Sequence, residues 1–270
     1  MQTGLNEKVV LVTGASGGIG SEVARQFAKE GARVVIHYHQ NVRGARNLNV
    51  EIGESRSYLA QADLSQEGDV ARLFETIEKD LGPVDVVVAN AGKYTPATPL
   101  HELSLEQWNQ TLSANLTSQF LTLREFFRGI KRHGLVAPSA VLIGSTAGKF
   151  GEAAHADYAS AKGAVMNGFL KTLKNEISRL APKGRVNAVC PGWTLTPMVR
   201  DFAKDPAAKV RVAQTIPMKK IARPEDVASS VLFLASESLS GHLSGECIFV
   251  SGGMEGRVLY APEEVDANEV

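Results

Sequence analysis

The sequence predicts an α/β fold: a single doubly wound domain with a seven-stranded parallel sheet flanked by helices on both faces. Three observations carry this. Short apolar runs rich in β-branched residues alternate with longer segments of helical period, which is how βα units read in sequence. The strand segments are apolar throughout rather than alternating, so both faces of the sheet are covered. The 270 residues, 44% hydrophobic and 21% charged, suffice for a sizeable core at a length that α/β domains commonly reach undivided.

Strands are expected at 8–13, 33–38, 57–62, 84–89, 140–144, 185–189 and 246–250. Helices are expected between them at 19–30, 42–52, 67–81, 105–132, 157–180 and 224–235. Ser104 with Gln107 opens the fourth helix as a capping pair, and Pro224 followed by Glu225 and Asp226 opens the last. No Gly-, Ser- or Pro-rich linker divides the chain and no solenoid repeat is present, so residues 1–253 are expected to form one domain. Two stretches leave the alternation. Residues 193–223, with Pro197, Pro206 and Pro217 among apolar Met198, Phe202 and Ile216 and basic Arg200, Lys204, Lys209 and Arg211, suit a mobile lid over a site. Residues 254–270 form an acidic tail, expected to be a frayed terminus or, second, to pack on a neighbouring subunit.

Lys and Arg total 29 against 29 for Asp and Glu, so no positive surplus exists for nucleic acid or anionic lipid, and neither partner is expected. Cys190 and Cys247 stand in apolar stretches with no metal-site spacing and are expected as buried thiols in a reducing compartment, with no metal. The polar start and the short first apolar run, 9–12, fit neither a signal-peptide core nor a membrane span, so a cytoplasmic protein is expected.

Immediately after the first strand comes T-G-A-S-G-G-I-G, leading directly into a helix. Glycines there let the backbone approach a pyrophosphate, and the helix N-terminus supplies N–H donors and a positive field. Gly14, Ser16, Gly17, Gly18, Ile19 and Gly20 are therefore the expected dinucleotide cradle. In the NAD version of this unit a carboxylate about 20 residues past the turn binds the ribose 2′-hydroxyl. Tyr38 occupies that place, no Asp or Glu appears from Gly31 to Val50, and His39, Arg43 and Arg46 follow. Cations there pair with a 2′-phosphate that a carboxylate would repel, so NADP(H) is preferred, with NAD(H) the alternative; Arg46 also reads as a solvated helix face.

Ser145, in G-S-T-A-G, follows the fifth strand, and Y-A-S-A-K, from Tyr158 to Lys162, lies in the next long helix. Residues four apart share a helix face, so the Lys162 ammonium sits near the Tyr158 phenol. A fixed cation there lowers the phenol pKa from about 10 towards the working range, where it exchanges a proton with an alcohol or carbonyl oxygen.

The combination of T-G-A-S-G-G-I-G, Asp63, N-A-G at Asn90 to Gly92, Asn115, Ser145, Y-A-S-A-K and Pro191-Gly192 resembles the short-chain dehydrogenase/reductase family, over about residues 8–253. The resemblance implies a Rossmann-type fold and a tetrad of Asn115, Ser145, Tyr158 and Lys162. Hydride would pass between the nicotinamide and the substrate carbon. Tyr158 would serve as acid in reduction and base in oxidation, Ser145 would orient the reacting oxygen, Lys162 would also bind the nicotinamide ribose, and Asn115 would hold a relay water. It further implies cofactor contacts from Asp63 and Leu64 (adenine), Asn90, Ala91 and Gly92 (ribose), Pro191 and Gly192, and Thr194 and Thr196 (carboxamide and pyrophosphate). His155 and Trp193 would face the substrate, a small-molecule carbonyl or alcohol of the type 3-oxoacyl reductases handle. A homotetramer is the implied assembly, a dimer second. Two positions depart from the pattern: Ala89 stands where many relatives have Asn, and Gly17 where NADP-binding members often carry a basic residue. A dinucleotide sensor without turnover and a methyltransferase are the competing readings; the intact Ser145, Tyr158 and Lys162 argue against both.

Overall fold

Residues 2–199 and 204–266 are described by the computed structural model. Seven strands form one sheet in the order β3-β2-β1-β4-β5-β6-β7, every neighbouring pair parallel. They are β1 Val9–Val12, β2 Arg33–Tyr38, β3 Ser57–Gln61, β4 Val86–Ala89, β5 Ser139–Ile143, β6 Arg185–Pro191 and β7 Cys247–Val250. All seven lie where the sequence places them, most of them shorter or shifted by a residue or two at their ends.

Successive strand side chains point to opposite faces, and each face buries its own core. Leu11 and Leu142 pack with Phe74 and Ile77 of α3 (Glu67–Leu81), Phe126 of α5 (Ser118–His133) and Leu170 and Ile177 of α8 (Leu170–Leu180). On the other face Val10, Val12 and Ile36 pack with Val23 and Phe27 of α1 (Gly18–Lys29), Leu48 of α2 (Val42–Ile52) and Val231 and Leu234 of α10 (Pro224–Ala235). Fully burying an aromatic or branched aliphatic side chain is worth roughly 1.5–3 kcal/mol, so these two layers hold the sheet. The buried Arg185 guanidinium donates to the carbonyls of Leu234 (2.6 Å) and Ala235 (2.9 Å), capping the C-terminus of α10 with a cation.

The two longest expected helices are each interrupted. Leu105–Leu112 (α4) passes through a π turn, Ser113–Thr117, into α5, and Ala156–Ala164 (α7) passes through another, Val165–Phe169, into α8. Short helices α6 (Ala147–Phe150) and α11 (Glu237–Ser240) follow β5 and α10.

The region expected as a lid carries a helix of its own, α9 (Pro206–Ala213), with Pro206 in its first turn and the Asp205 carboxylate accepting from Ala207 N–H at 2.9 Å. Arg200 and Phe202 lie outside the described residues, as do 267–270 of the tail. In place of a frayed end, the described tail is hydrogen-bonded to its own chain. Leu259 and Tyr260 donate backbone N–H groups to Gln214 O, Gln214 Nε2 donates back to Tyr260 O at 2.7 Å, the Tyr260 hydroxyl donates to Pro217 O, and Val265 is buried. The tail is therefore strapped across the end of α9 and the turn that follows it. No helix among the described residues is long and apolar enough to cross a membrane, and no described His, Cys, Asp and Glu side chains cluster as metal ligands. Cys190 is buried, but Cys247 is only half-buried, because β7 is the edge strand.

Candidate active site

Strand order reverses between β1 and β4, and their carboxyl ends open into a cavity of about 990 Å³, at the upper end of the usual range for ligand sites. Thr13, just past β1, fixes this mouth. Its Oγ1 accepts from the N–H groups of Asn90 and Ala91, both at 2.9 Å, and the Asn90 side chain donates back to Thr13 O at 2.8 Å.

The Gly-rich turn lines one end. Gly14 has φ 65°, a conformation that disfavours any side chain. A Cβ on Gly20 would lie 2.4 Å from Gly14 O, so only glycine lets the helix start close against the strand. Helix α1 has no side-chain cap at its N-terminus, leaving its first N–H groups to the cavity. Gly14 N–H itself donates to Nδ1 of His37 at 3.0 Å, and His37 Nε2 pairs with Ala62 O at 3.1 Å. Those partners fix a neutral imidazole with its proton on Nε2, and burial pushes its pKa down to about 4. Sequence reasoning passed over His37 as an ordinary strand residue.

Farther along, Asp63, Leu64 and His39 line the wall, with His39 Nε2 3.9 Å from Asp63 Oδ2. Burial works against ionisation of Asp63, but the Ser65 hydroxyl and N–H both donate to it and hold its pKa below the usual carboxylate value. Tyr38 and Arg43 depart from expectation. The Tyr38 ring packs into the core beside Ile36, and Arg43 is exposed on α2, so neither forms part of the cavity wall. Alternation along β2 is the reason: a side chain next to inward-facing His37 turns away from the cavity. Gln40 and Asn41 stand in the wall instead. Asn41 Oδ1 caps α2 through Gly44 N–H at 3.0 Å and its Nδ2 donates to Ser16 O at 2.8 Å, tying α2 to the Gly-rich turn. The capping pattern of Asn41 was readable in the sequence; its link to Ser16 was not.

Asn90, Ala91, Gly92, Pro191, Gly192, Thr194 and Thr196 all line the cavity as expected, and Thr196 packs over Gly18. Asn115, Ser145, Tyr158 and Lys162 come together in the same wall from the π turn, the end of β5 and α7. Asn115 is fully buried, its amide donating to Lys93 O (2.8 Å) and Thr111 O (3.0 Å) while Oδ1 accepts from Lys93 N–H at 3.1 Å. Both amide protons are thus committed, leaving one lone pair of Oδ1 for a relay partner. Lys162 Nζ donates to Ile143 O at 2.8 Å and lies 5.7 Å from the Tyr158 ring centroid. Burial lowers its pKa to about 8.

Tyr158 differs from expectation. Burial raises its pKa to about 12, the Ser145 hydroxyl pulls the other way as its hydrogen-bond partner, and the Glu152 carboxylate adds to the rise. Desolvation of the phenolate outweighs any help from Lys162, whose charge is turned to Ile143 O.

Trp193 lines the substrate end, but His155 does not. It is buried behind Tyr94, whose hydroxyl contacts His155 Nε2 at 2.7 Å and donates to Glu152 Oε1 at 2.8 Å. Tyr94 and Glu152 both line the cavity, and the Tyr94 ring meets the Tyr158 ring edge-on at 5.2 Å. Neither was singled out in the sequence, where no spacing connects residues so far apart. Asp157, beside Tyr158 and also unforeseen, is wholly buried. Its carboxylate accepts from Thr111 (2.7 Å), Thr95 (3.1 Å) and Tyr158 N–H (2.8 Å), joining α4 and the loop after β4 to the catalytic helix.

A crossover α/β sheet with a Gly-rich turn at its switch point and a Ser, a Tyr and a Lys converging beside it defines a dinucleotide-dependent oxidoreductase. Residues 14–255 match the family model described as Enoyl-(Acyl carrier protein) reductase. The chain is 34% identical over 249 residues to cis-4-hydroxycyclohexanecarboxylate dehydrogenase of Sinomonas cyclohexanicum, covering 92% of this chain and 96% of that one. It is 34% identical to the 3-oxoacyl-[acyl-carrier-protein] reductase of Synechocystis sp. (93% and 98% covered) and 34% identical to the glucose 1-dehydrogenase of Gluconobacter oxydans (92% and 91%). The chain belongs to the short-chain dehydrogenase/reductase family. The names of these relatives point to a ring alcohol, a carrier-bound acyl group and a sugar, so the shared part is the redox site and the variable part is what it holds.

Proposed function

We propose that the chain is an NADP(H)-dependent carbonyl reductase or alcohol dehydrogenase working through Ser145, Tyr158 and Lys162. The observation that carries the reading is the meeting of Tyr158, Ser145 and Lys162 in one cavity with the uncapped start of α1. The residues fit a dinucleotide. Gly14, Ser16, Gly17, Gly18 and Ile19 line a cradle at the start of α1, Gly20 behind them lets the helix approach Gly14 O and Asn90, and Asn90, Gly92, Thr194 and Thr196 continue along the same wall. Gly14, Ser16, Gly18 and Thr196 would hold the pyrophosphate, Asp63 and Leu64 the adenine, and Lys162 the nicotinamide ribose. When bound, the nicotinamide supplies or accepts the hydride.

The chain's own residues supply the proton and the orientation. With its pKa raised to about 12, Tyr158 is held as the neutral phenol at pH 7, the form that has a proton to give to a carbonyl oxygen. Ser145 Oγ accepts from Ala147 N–H at 3.1 Å, which holds the hydroxyl beside Tyr158, where it can orient a reacting oxygen. Lys162, with a pKa of about 8, remains mostly cationic at neutral pH and stabilises the phenolate left behind.

The absence of any carboxylate at the end of β2 supports NADP(H). NAD(H) is the second reading, favoured by the placement of Tyr38 and Arg43 outside the cavity wall. The test is titration of the purified chain and Tyr158→Phe with NADPH and NADH, followed by nicotinamide fluorescence and turnover of a carbonyl panel. The expected result is tighter NADPH binding in both proteins and a loss of turnover of about 100- to 10,000-fold in the variant. Tighter NADH binding overturns the cofactor preference, and absence of binding overturns the enzyme reading. A homotetramer, or second a dimer, is the proposed assembly, and a stable monomer by light scattering refutes both.

A further inference from the structure

The substrate end of the cavity contains a carboxylate that proton transfer at Tyr158 does not require. Glu152 stands in the wall between α6 and α7, and its Oε1 accepts the Tyr94 hydroxyl proton at 2.8 Å. A carboxylate only accepts, and a tyrosine hydroxyl has a single proton, so the direction of the whole chain is set. With its proton given to Glu152, the Tyr94 oxygen must accept from His155, so His155 carries its proton on Nε2. The other imidazole nitrogen, Nδ1, is buried and has no partner among the described residues, consistent with an unprotonated acceptor. His155, Tyr94 and Glu152 thus form one directed series of hydrogen bonds whose negative end faces the cavity. The tilted contact of the Tyr94 and His155 rings at 4.4 Å and the edge-on contact of Tyr94 with Tyr158 at 5.2 Å hold that end beside the reacting group.

Among the described residues no cation pairs with Glu152, in contrast to the many surface carboxylates that do have an Arg or Lys partner. A carboxylate left in a partly dry cavity favours a hydrogen-bond donor and repels an anion. We propose, building on the oxidoreductase reading above, that Glu152 is a specificity-determining residue. It accepts a hydrogen bond from a second hydroxyl of the substrate, adjacent to the carbon that is oxidised or reduced. The substrate class is then a neutral polyhydroxylated alcohol or its ketone, such as a sugar, rather than a substrate with a carboxylate near the reacting carbon. Tyr94 and His155 are positioning residues that hold the carboxylate and touch no reacting atom.

The experiment compares the native chain with Glu152→Gln and Tyr94→Phe, each saturated with whichever of NADPH or NADH binds more tightly. Three ring substrates of equal size are used: one with a hydroxyl next to the reacting carbon, the same ring without it, and one bearing a carboxylate there. The native chain is expected to prefer the hydroxylated ring. Glu152→Gln keeps an acceptor but loses the charge, and is expected to lower kcat/KM for the hydroxylated ring by about 10- to 100-fold, mostly through KM. Any change it makes through the charge beside Tyr158 is common to all three rings, so the expected signature is relative: kcat/KM for the hydroxylated ring falls against that for the plain ring, and kcat/KM for the carboxylate-bearing ring rises against it. Tyr94→Phe is expected to show the same pattern at smaller amplitude, and dinucleotide binding is expected to stay unchanged in both variants. A uniform fall across the three rings, or a native preference for the plain or anionic ring, overturns the inference while leaving the oxidoreductase reading intact. A chain that binds dinucleotide yet turns over none of the rings refutes the inference and counts against that reading as well.

Discussion

Acidification should loosen the phosphate-binding turn through one imidazole. His37 accepts from Gly14 N–H and donates to Ala62 O, an arrangement that a second ring proton would destroy. Burial is the main reason its pKa falls from 6.5 to about 4, with the nearby His39 charge adding to the fall and Ala62 O and Asp63 opposing it. In the unfolded chain the ring protonates near 6.5, so between about 6.5 and 4 the unfolded state binds more protons than the folded one. Stability is therefore complete above about pH 7, declines as pH drops through that window and levels off below it. At about 1.4 kcal/mol per unit the full loss is about 3 kcal/mol, a large share of the 5–15 kcal/mol typical of a domain. The assay is urea unfolding from about pH 7.5 to about pH 3.5 for the native chain and His37→Gln, whose amide both accepts and donates but does not titrate. Subtracting the two curves cancels the carboxylates that titrate in both proteins. The expected difference is flat above pH 7 and changes by about 3 kcal/mol, in favour of the variant, between pH 6.5 and 4. Parallel curves across that window would refute the argument, because they would mean that His37 is not held neutral by its surroundings.

Gly20→Ala forces a methyl group to 2.4 Å from Gly14 O, and is expected to abolish measurable dinucleotide binding by fluorescence titration while the chain stays folded by circular dichroism. Arg43→Ala is expected to change the KM for NADPH less than twofold, since the exposed side chain lies off the cavity wall; a much larger rise for NADPH than for NADH would restore its role at the 2′-phosphate. Asp157→Ala removes the acceptor shared by Thr95, Thr111 and Tyr158 N–H, and is expected to cost about 3 kcal/mol in chemical denaturation and to lower kcat through displacement of Tyr158. Asp157→Asn, which keeps an acceptor, should recover part of both losses.

The sheet and its helices were legible because each rests on local pattern, whereas the grouping of Asn115 and Ser145 with Tyr158 and Lys162 came from the family resemblance. An apolar run flanked by turn residues makes a buried strand wherever it occurs, and Y-A-S-A-K places two side chains on one helix face by spacing alone. The π turns at Ser113–Thr117 and Val165–Phe169 were not, since L-S-A-N-L-T has the period of an unbroken helix and the widening comes from packing. Tyr38 was misplaced for a related reason: counting from the turn finds the right strand but not which face a side chain takes. His37, Tyr94 and Glu152 were invisible because their roles depend on partners brought near only by the fold, such as Gly14 for His37 and Glu152 for Tyr94. The raised pKa of Tyr158 was missed because adjacency to a lysine is readable in sequence, whereas loss of water around the phenol is not.

The strap of Leu259 and Tyr260 across Gln214 ties a stretch beyond the last strand to the residue that ends α9. Residues that perform no chemistry thereby help set where that helix rests, and a change at Tyr260 is felt at a helix end 46 positions earlier in the chain without touching Ser145, Tyr158 or Lys162.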